Sequence, residues 1–263
     1  MSRVGFAARV LLMGVLFGLL APIQSAAIRV GAKLSHRLPV RFHRLFLRLF
    51  GIRVSVRGTP PVPGHPTLVL ANHVSWLDIP VMGSLLPLSF IAKQEIAGWP
   101  VFGFCARLQR CVFLDRTRKS ATAEVNAEVA ERLAAGDAIV LFPEGTTGDG
   151  NRLLPFRSSL VGAARAAIAE SAHEAVRLQP LALSYARRNG LPVTRRERPA
   201  IAWYGDMELA PHVGAFARSG PLDVVVTWGE PIPFGRETDR KKATAEAERS
   251  VRRSLGAAMT LFS

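Results

Sequence analysis

The sequence predicts an α/β protein. Its core is a largely parallel or mixed sheet covered by helices on both faces, and an N-terminal helical membrane-anchor hairpin precedes it. Three observations carry this prediction. After residue 51, short apolar runs alternate with helix-length stretches, the pattern of strands buried on both sides by crossover helices. Several of those runs stop abruptly at turn-forming or charged residues, as at Asn72, Pro143 and Asp115. The first fifty residues differ in composition from everything that follows. The chain therefore divides into an apolar and basic membrane-associated segment, 1–50, and an α/β domain, 51–263.

The N-terminal segment opens with VLLMGVLFGLLAPI over 10–23, free of charge, with a weakly polar continuation to Ile28. That length is marginal for a full span, which needs about 20 apolar residues. A cleaved signal peptide competes, because Arg3 and Arg9 precede the run and Gln24-Ser25-Ala26-Ala27 follows it. The next stretch, 36–50, reads HRLPVRFHRLFLRLF. Arg37, Arg41, Arg44 and Arg48 fall on one helical stripe, and Phe and Leu fill much of the remaining circumference. A basic amphipathic helix of this composition suits a membrane interface. A surface helix packed on the domain, with solvated arginines, has the same pattern.

Beyond Gly51, residues 53–57 alternate as an edge strand does. Further strands are predicted at 68–71, 89–93, 111–115, 138–142, 178–184, 200–204 and 223–228. Helices are predicted at 80–86, 101–107, 120–135 (stopped by Gly136), 158–171 and 239–261. In such sheets ligands gather beyond the carboxyl ends of the strands.

Composition narrows the partners. The chain carries 34 Lys and Arg against 20 Asp and Glu, a formal charge of +14. A surface of that sign attracts acidic lipid, an acidic carrier protein or nucleic acid. Nucleic acid is set aside, since no zinc-finger spacing or aromatic-basic RNA-binding signature is present. Two cysteines, Cys105 and Cys111, make neither a disulfide framework nor a metal site. The six histidines are scattered away from ligand spacing, so no metal is expected.

Chemistry concentrates at four strand ends. At the first, TLVLANHVSWLD over 67–78, an apolar run stops at Asn72-His73 and Asp78 follows. On a straight helix residues five apart lie roughly 140° around the axis, so His73 and Asp78 meet only if a loop folds them together. Pro80 suits the first turn of the helix that follows. An imidazole oriented by a carboxylate is a general base of fixed tautomer. The bland alternative has Asp78 as a helix cap and His73 as an ordinary loop residue. At the second end Arg116 emerges after VFLD. The third carries Phe142-Pro143-Glu144-Gly145-Thr146-Thr147, and the fourth is an apolar strand around Pro180.

Together these blocks resemble the glycerolipid acyltransferase family, the enzymes similar to 1-acyl-sn-glycerol-3-phosphate (lysophosphatidic acid) acyltransferases. Asn72, His73 and Asp78 match N-H-x(4)-D; Arg116 matches the arginine of the second block; residues 142–146 match F-P-E-G-T; Pro180 matches the fourth block loosely. The likeness covers roughly 50–235. It implies transfer of an acyl chain from a thioester, acyl-ACP or acyl-CoA, to a lipid hydroxyl, with no bound cofactor. His73 and Asp78 would be catalytic, and Asn72, Arg116, Phe142, Pro143, Glu144, Gly145 and Thr146 would shape the acceptor site. The family's arginine after F-P-E-G-T is Thr147 here. That departure weakens the case for lysophosphatidic acid and leaves Thr147, Arg152 or Arg157 as head-group contacts. The run FPEGTTGDGNRLLPFRS, with WYGDM at 203–207, looks more like bacterial lyso-ornithine lipid acyltransferases, whose acceptor has a carboxylate and no phosphate. The resemblance further implies the cytoplasmic face of a bacterial inner membrane and acyl carrier protein as a partner. A lipid hydrolase and a non-catalytic lipid-binding protein are the rivals from other classes.

Overall fold

The computed structural model describes residues 3–114, 119–162 and 175–260. Two helices come first, α1 (Arg3–Arg29) and α2 (Leu34–Leu49). At about 1.5 Å per residue, α1 exceeds the apolar run seen in the sequence, and its Gly5–Arg29 portion is long and apolar enough to cross a membrane. The helix extends because Ala7, Ala8, Ala26 and Ala27 continue it beyond the most apolar stretch. Gly31 turns the chain back with φ 64°, and Phe17 meets Phe42 across the hairpin at 6.0 Å.

The sheet runs β1 (Ile52–Arg57), β8 (Leu222–Trp228), β6 (Ala175–Arg188), β2 (Thr67–Ala71), β5 (Ala138–Leu141), β3 (Ser89–Lys93) and β4 (Val112–Leu114). β6, β2, β5, β3 and β4 are mutually parallel, whereas β8 is antiparallel to β6 and parallel to β1. The sheet is therefore mixed, with β1 at one edge as its alternation predicts. Two short strands, β7 (Leu191–Pro192) and β9 (Ile232–Gly235), add antiparallel pairs to β6. Pro180 sits where β6 changes partner, after Leu178 pairs with Ile232 and before Leu181 pairs with Trp228. A strand residue without an N–H is tolerated at such an interruption.

Both faces are covered. On one, Val69, Ala71, Val140, Leu181 and Leu183 pack with Leu47 of α2, Val81 and Met82 of α3 (Asp78–Gly83), and Phe216 of α7 (Leu209–Arg218). On the other, Leu68, Leu70, Ile139 and Leu141 pack with Val129 and Leu133 of α6 (Lys119–Ala134) and with Ala243, Ala247 and Val251 of α8 (Arg240–Thr260). Neighbouring residues of one strand thus belong to opposite cores, as pleating requires.

Two expectations are corrected. Residues 200–204 are not a strand: a 3-10 turn spans Arg198–Ala200, and Ile201 and Ala202 spend their apolar surface in packing. The predicted helix 158–171 begins as a 3-10 turn, Ser158–Val161, and 163–174 lie outside the described residues. The helix α7, with Pro211 in its first turn, is not marked by the sequence pattern. Two helices between β3 and β4 complete the chain, the single turn α4 (Gln94–Ala97) and α5 (Pro100–Leu108).

An apolar ridge crosses the surface. Leu11, Val15 and Leu19 of α1 are exposed, as are Trp99, Val101, Phe102, Phe104 and Met207. Phe17 touches Phe104 edge-on at 6.0 Å, Trp99 meets Phe102 at 6.2 Å, and Trp99 meets Trp203 at 6.5 Å. The ridge connects the long apolar helix to the segment beside His73.

Candidate active site

The carboxyl end of β2 delivers Asn72 and His73. Both ends of the Asn72 amide are spent on β6, its Nδ2 donating to Leu183 O at 3.0 Å and its Oδ1 accepting from Leu183 N at 2.8 Å. This side chain clamps the two strands where the site begins. The chain then doubles back into α3, and His73 Nδ1 lies 2.7 Å from Asp78 Oδ2. The same oxygen accepts the backbone N–H groups of Val74 at 2.7 Å and Ser75 at 3.0 Å. Asp78 thus orders the loop before its helix instead of capping the helix that it begins. Its other oxygen, Oδ1, accepts the Tyr185 hydroxyl at 2.5 Å. A fully buried carboxylate is costly unless its lone pairs are filled, and here four donors fill them.

The consequence for His73 is chemical. With Nδ1–H donating to Asp78, Nε2 is the ring's free acceptor. The ring stacks on Phe142 with centroids 3.9 Å apart, which leaves it little rotational freedom. Tyr185 is absent from the sequence-based site. Burial and the adjacent Asp78 push its phenol well above its usual pKa, so it remains a donor. Same-face spacing with Leu181 and Leu183 is the signal that could have placed it.

The third block forms a turn at the end of β5. Gly145 adopts φ 75° while its N–H returns to Phe142 O. Glu144, nearly inaccessible at 3% exposure, accepts His73 N at 2.7 Å and Leu154 N at 3.0 Å. Burial pushes its carboxyl up to about 7, against those two N–H groups. Glu144 therefore positions His73 through its backbone. Pro143 O accepts Arg157 N, and Gly148 N donates to His73 O at 2.9 Å.

A cavity of about 280 Å³ opens on this cluster, lined among others by His73, Asn151, Arg152, Tyr185, Arg198 and Arg252. Asn72 and Glu144 line it too, whereas Thr146, Thr147 and Arg157 do not. Of the three head-group candidates the structure thus brings only Arg152 to the cavity. Arg116 lies outside the described residues; the strand that leads to it, β4, is parallel to β3 and so, through β5, to β2. Arg198 and Arg252 were missed because they come from segments remote in sequence with no motif of their own. Cys105 and Cys111 are free and half-buried, and burial pushes Cys111 up to about 12, which makes it a poor nucleophile.

Residues 53–184 match a family described as Acyltransferase. The chain is 46% identical over 240 residues to a lyso-ornithine lipid O-acyltransferase of Brucella abortus (strain 2308), covering 91% of this chain and 90% of the relative. It is 41% identical over 251 residues to the lyso-ornithine lipid O-acyltransferase of Rhizobium meliloti (strain 1021), covering 94% and 86%. Among solved structures, the 1-acyl-sn-glycerophosphate acyltransferase of Thermotoga maritima superposes with a TM-score of 0.68 at 20% identity, covering 97% of this chain and 93% of that one. The last likeness concerns the fold.

Proposed function

The chain belongs to the acyltransferase family, and we propose that it moves a fatty acyl chain from an acyl thioester to the free hydroxyl of lyso-ornithine lipid, with His73 as general base. The observation that carries the mechanism is the closed His73–Asp78 pair, 2.7 Å apart and bound on the Asp78 side by three further donors. Near-complete coverage of both relatives supports the acceptor.

In this reading His73 Nε2 takes the acceptor hydroxyl's proton as that oxygen attacks the thioester carbonyl carbon. The C–O bond forms, charge gathers on the carbonyl oxygen, and Asp78 stabilises the imidazolium. Collapse breaks the C–S bond, and the imidazolium returns the proton to the leaving sulfur. No covalent enzyme intermediate is needed. General-base assistance contributes about 10²–10⁴-fold; positioning accounts for much of the rest. The +14 charge supports acyl carrier protein as donor and partner, since an acidic protein is steered to a basic surface. The same charge suits the phosphates of CoA. The apolar helix α1 supports membrane association, which we place at the cytoplasmic face of the inner membrane, where thioester donors are found.

The test is acyl transfer by membranes carrying wild type or His73→Ala, with lyso-ornithine lipid and lysophosphatidic acid offered separately, and acyl-ACP and acyl-CoA compared as donors. The expected result is product from lyso-ornithine lipid, reduced about 10²–10⁴-fold in the variant. Product from lysophosphatidic acid alone would replace the acceptor, and undiminished product from His73→Ala would remove the mechanism.

A further inference from the structure

We propose that Arg198 and Asn151 form the subsite that reads the acceptor's head group, Arg198 taking a carboxylate and Asn151 Oδ1 an ammonium. The cavity would thereby select a zwitterionic amino-acid head over a phosphate. This inference rests on the reading of His73 as the base and deepens it by assigning the groups that choose the acceptor.

Placement comes first. The turn carrying Asn151 is pinned to the base by the Gly148 N to His73 O bond at 2.9 Å, and the segment after Arg198 is pinned to the next residue by Trp203 N to Val74 O at 2.9 Å. Gly150 lies between these two walls with φ 77°. A Cβ there would sit 3.3 Å from Val74 Cγ1 and 3.5 Å from the Arg198 Cβ. Glycine therefore lets the Asn151 turn close against Arg198 beside the base. Both side chains line the cavity that His73 lines.

The chemistry follows from what each group lacks. Asn151 Oδ1 is shielded from solvent and has no hydrogen-bond partner among the described residues. Its Nδ2 faces Asp149 Oδ2 at 3.5 Å, which sets the amide with its oxygen as the open acceptor. A shielded acceptor is costly unless a donor fills it. Asp149 also accepts the Asn151 backbone N–H at 2.9 Å, so a carboxylate stands on the amide-nitrogen side of this residue. The open oxygen favours an ammonium.

The three cavity arginines are not equivalent. Arg252 is spent on Glu248 at 2.7 Å, and Arg152 is exposed. Arg198 is half-buried and makes no ion pair among the described residues. Burial and Arg195 work against its charge, and Asp149 offsets them only in part. A guanidinium so placed matches a carboxylate in a planar fork. A guanidinium at Arg198 and an open acceptor at Asn151 fit a head group that carries a carboxylate and an ammonium, whereas an amide oxygen offers an ionised phosphate no donor.

The experiment measures kcat/KM of the full-length enzyme in detergent with three acceptors: lyso-ornithine lipid, its carboxyl methyl ester and its N-acetylated form. Wild type is expected to use both blocked acceptors about ten- to a hundredfold less well, the span of one charge-assisted bond. In Arg198→Gln the preference for the free carboxylate over the ester should collapse toward one, while the preference for the free amine persists. Asn151→Leu should show the converse. Arg198→Lys, which keeps the charge and loses the fork, should retain part of the carboxylate preference and guards against loss of fold. If Arg198→Gln or Arg198→Lys keeps the full wild-type preference, the subsite is overturned. If wild type acylates lyso-ornithine lipid but tolerates both blocked forms, the subsite is overturned and the proposed function stands. If wild type acylates none of the three, both fall together.

Discussion

Glu144 holds a buried carboxyl between two backbone N–H groups, and burial wins, pushing its pKa up to about 7 from an ordinary 4.5. The folded state then binds this proton more tightly than the unfolded chain does. Stability is fully present below about pH 4.5 and is lost as pH rises toward about 7, by about 3 kcal/mol at most. Glu144→Gln resembles the protonated form and does not titrate. The melting temperature of wild type should therefore drop relative to Glu144→Gln by about 5–10 °C between pH 5 and pH 8, at roughly 2–4 °C per kcal/mol. A gap independent of pH would show that Glu144 is already ionised when folded. Glu144 and His73 were legible in the sequence because each sits just past the end of an apolar run, and Asp78 because of its spacing from His73 ahead of a helix start. Tyr185 and Arg198 were not, because more than a hundred residues separate them from His73 and only strand pairing and loop closure bring them near.

At the scale of elements, the approach of α2 to α3 depends on Gly83. A Cβ there would lie 2.7 Å from His43 Cδ2. His43 is half-buried and bonded to Gln109 Oε1 at 2.8 Å, so its ring does not swing aside freely. Arg44 adds bonds to Ser84 O at 2.7 Å and Leu85 O at 3.2 Å. Gly83→Ala should destabilise the protein by about 1–3 kcal/mol, as overpacking does, seen as an earlier unfolding midpoint in detergent; an unchanged midpoint would mean that the two helices separate without cost. The arginines of the α2 stripe are exposed, yet its Leu47 enters the main core. Periodicity fixes which face is apolar but not whether protein or lipid covers it, so membrane and domain packing look alike in sequence. The strands that frame the site were legible for the opposite reason. In β2 and β5 the apolar runs 68–71 and 138–141 serve two cores at once with no polar residue among them.

At the scale of the whole molecule, the ridge from α1 through Phe104 and Trp99 to Trp203 ends against the residue after His73, since Trp203 N bonds Val74 O. Exposed aromatic residues of this kind suit the boundary between lipid and water. The double substitution Trp99→Asp, Phe102→Asp should lower acyl transfer to an acceptor embedded in vesicles at least tenfold, while transfer to a short-chain acceptor dissolved in water persists. Equal losses on both would assign the ridge to folding instead. No local pattern announces this surface, because it is assembled from α1, α5 and the 203–207 segment, each unremarkable alone. Its consequence is kinetic. An enzyme seated along such a ridge meets its acceptor by lateral diffusion in two dimensions, so its rate is governed by the mole fraction of that lipid in the bilayer. Diluting the acceptor with inert lipid would slow turnover, whereas adding buffer at fixed membrane composition would not.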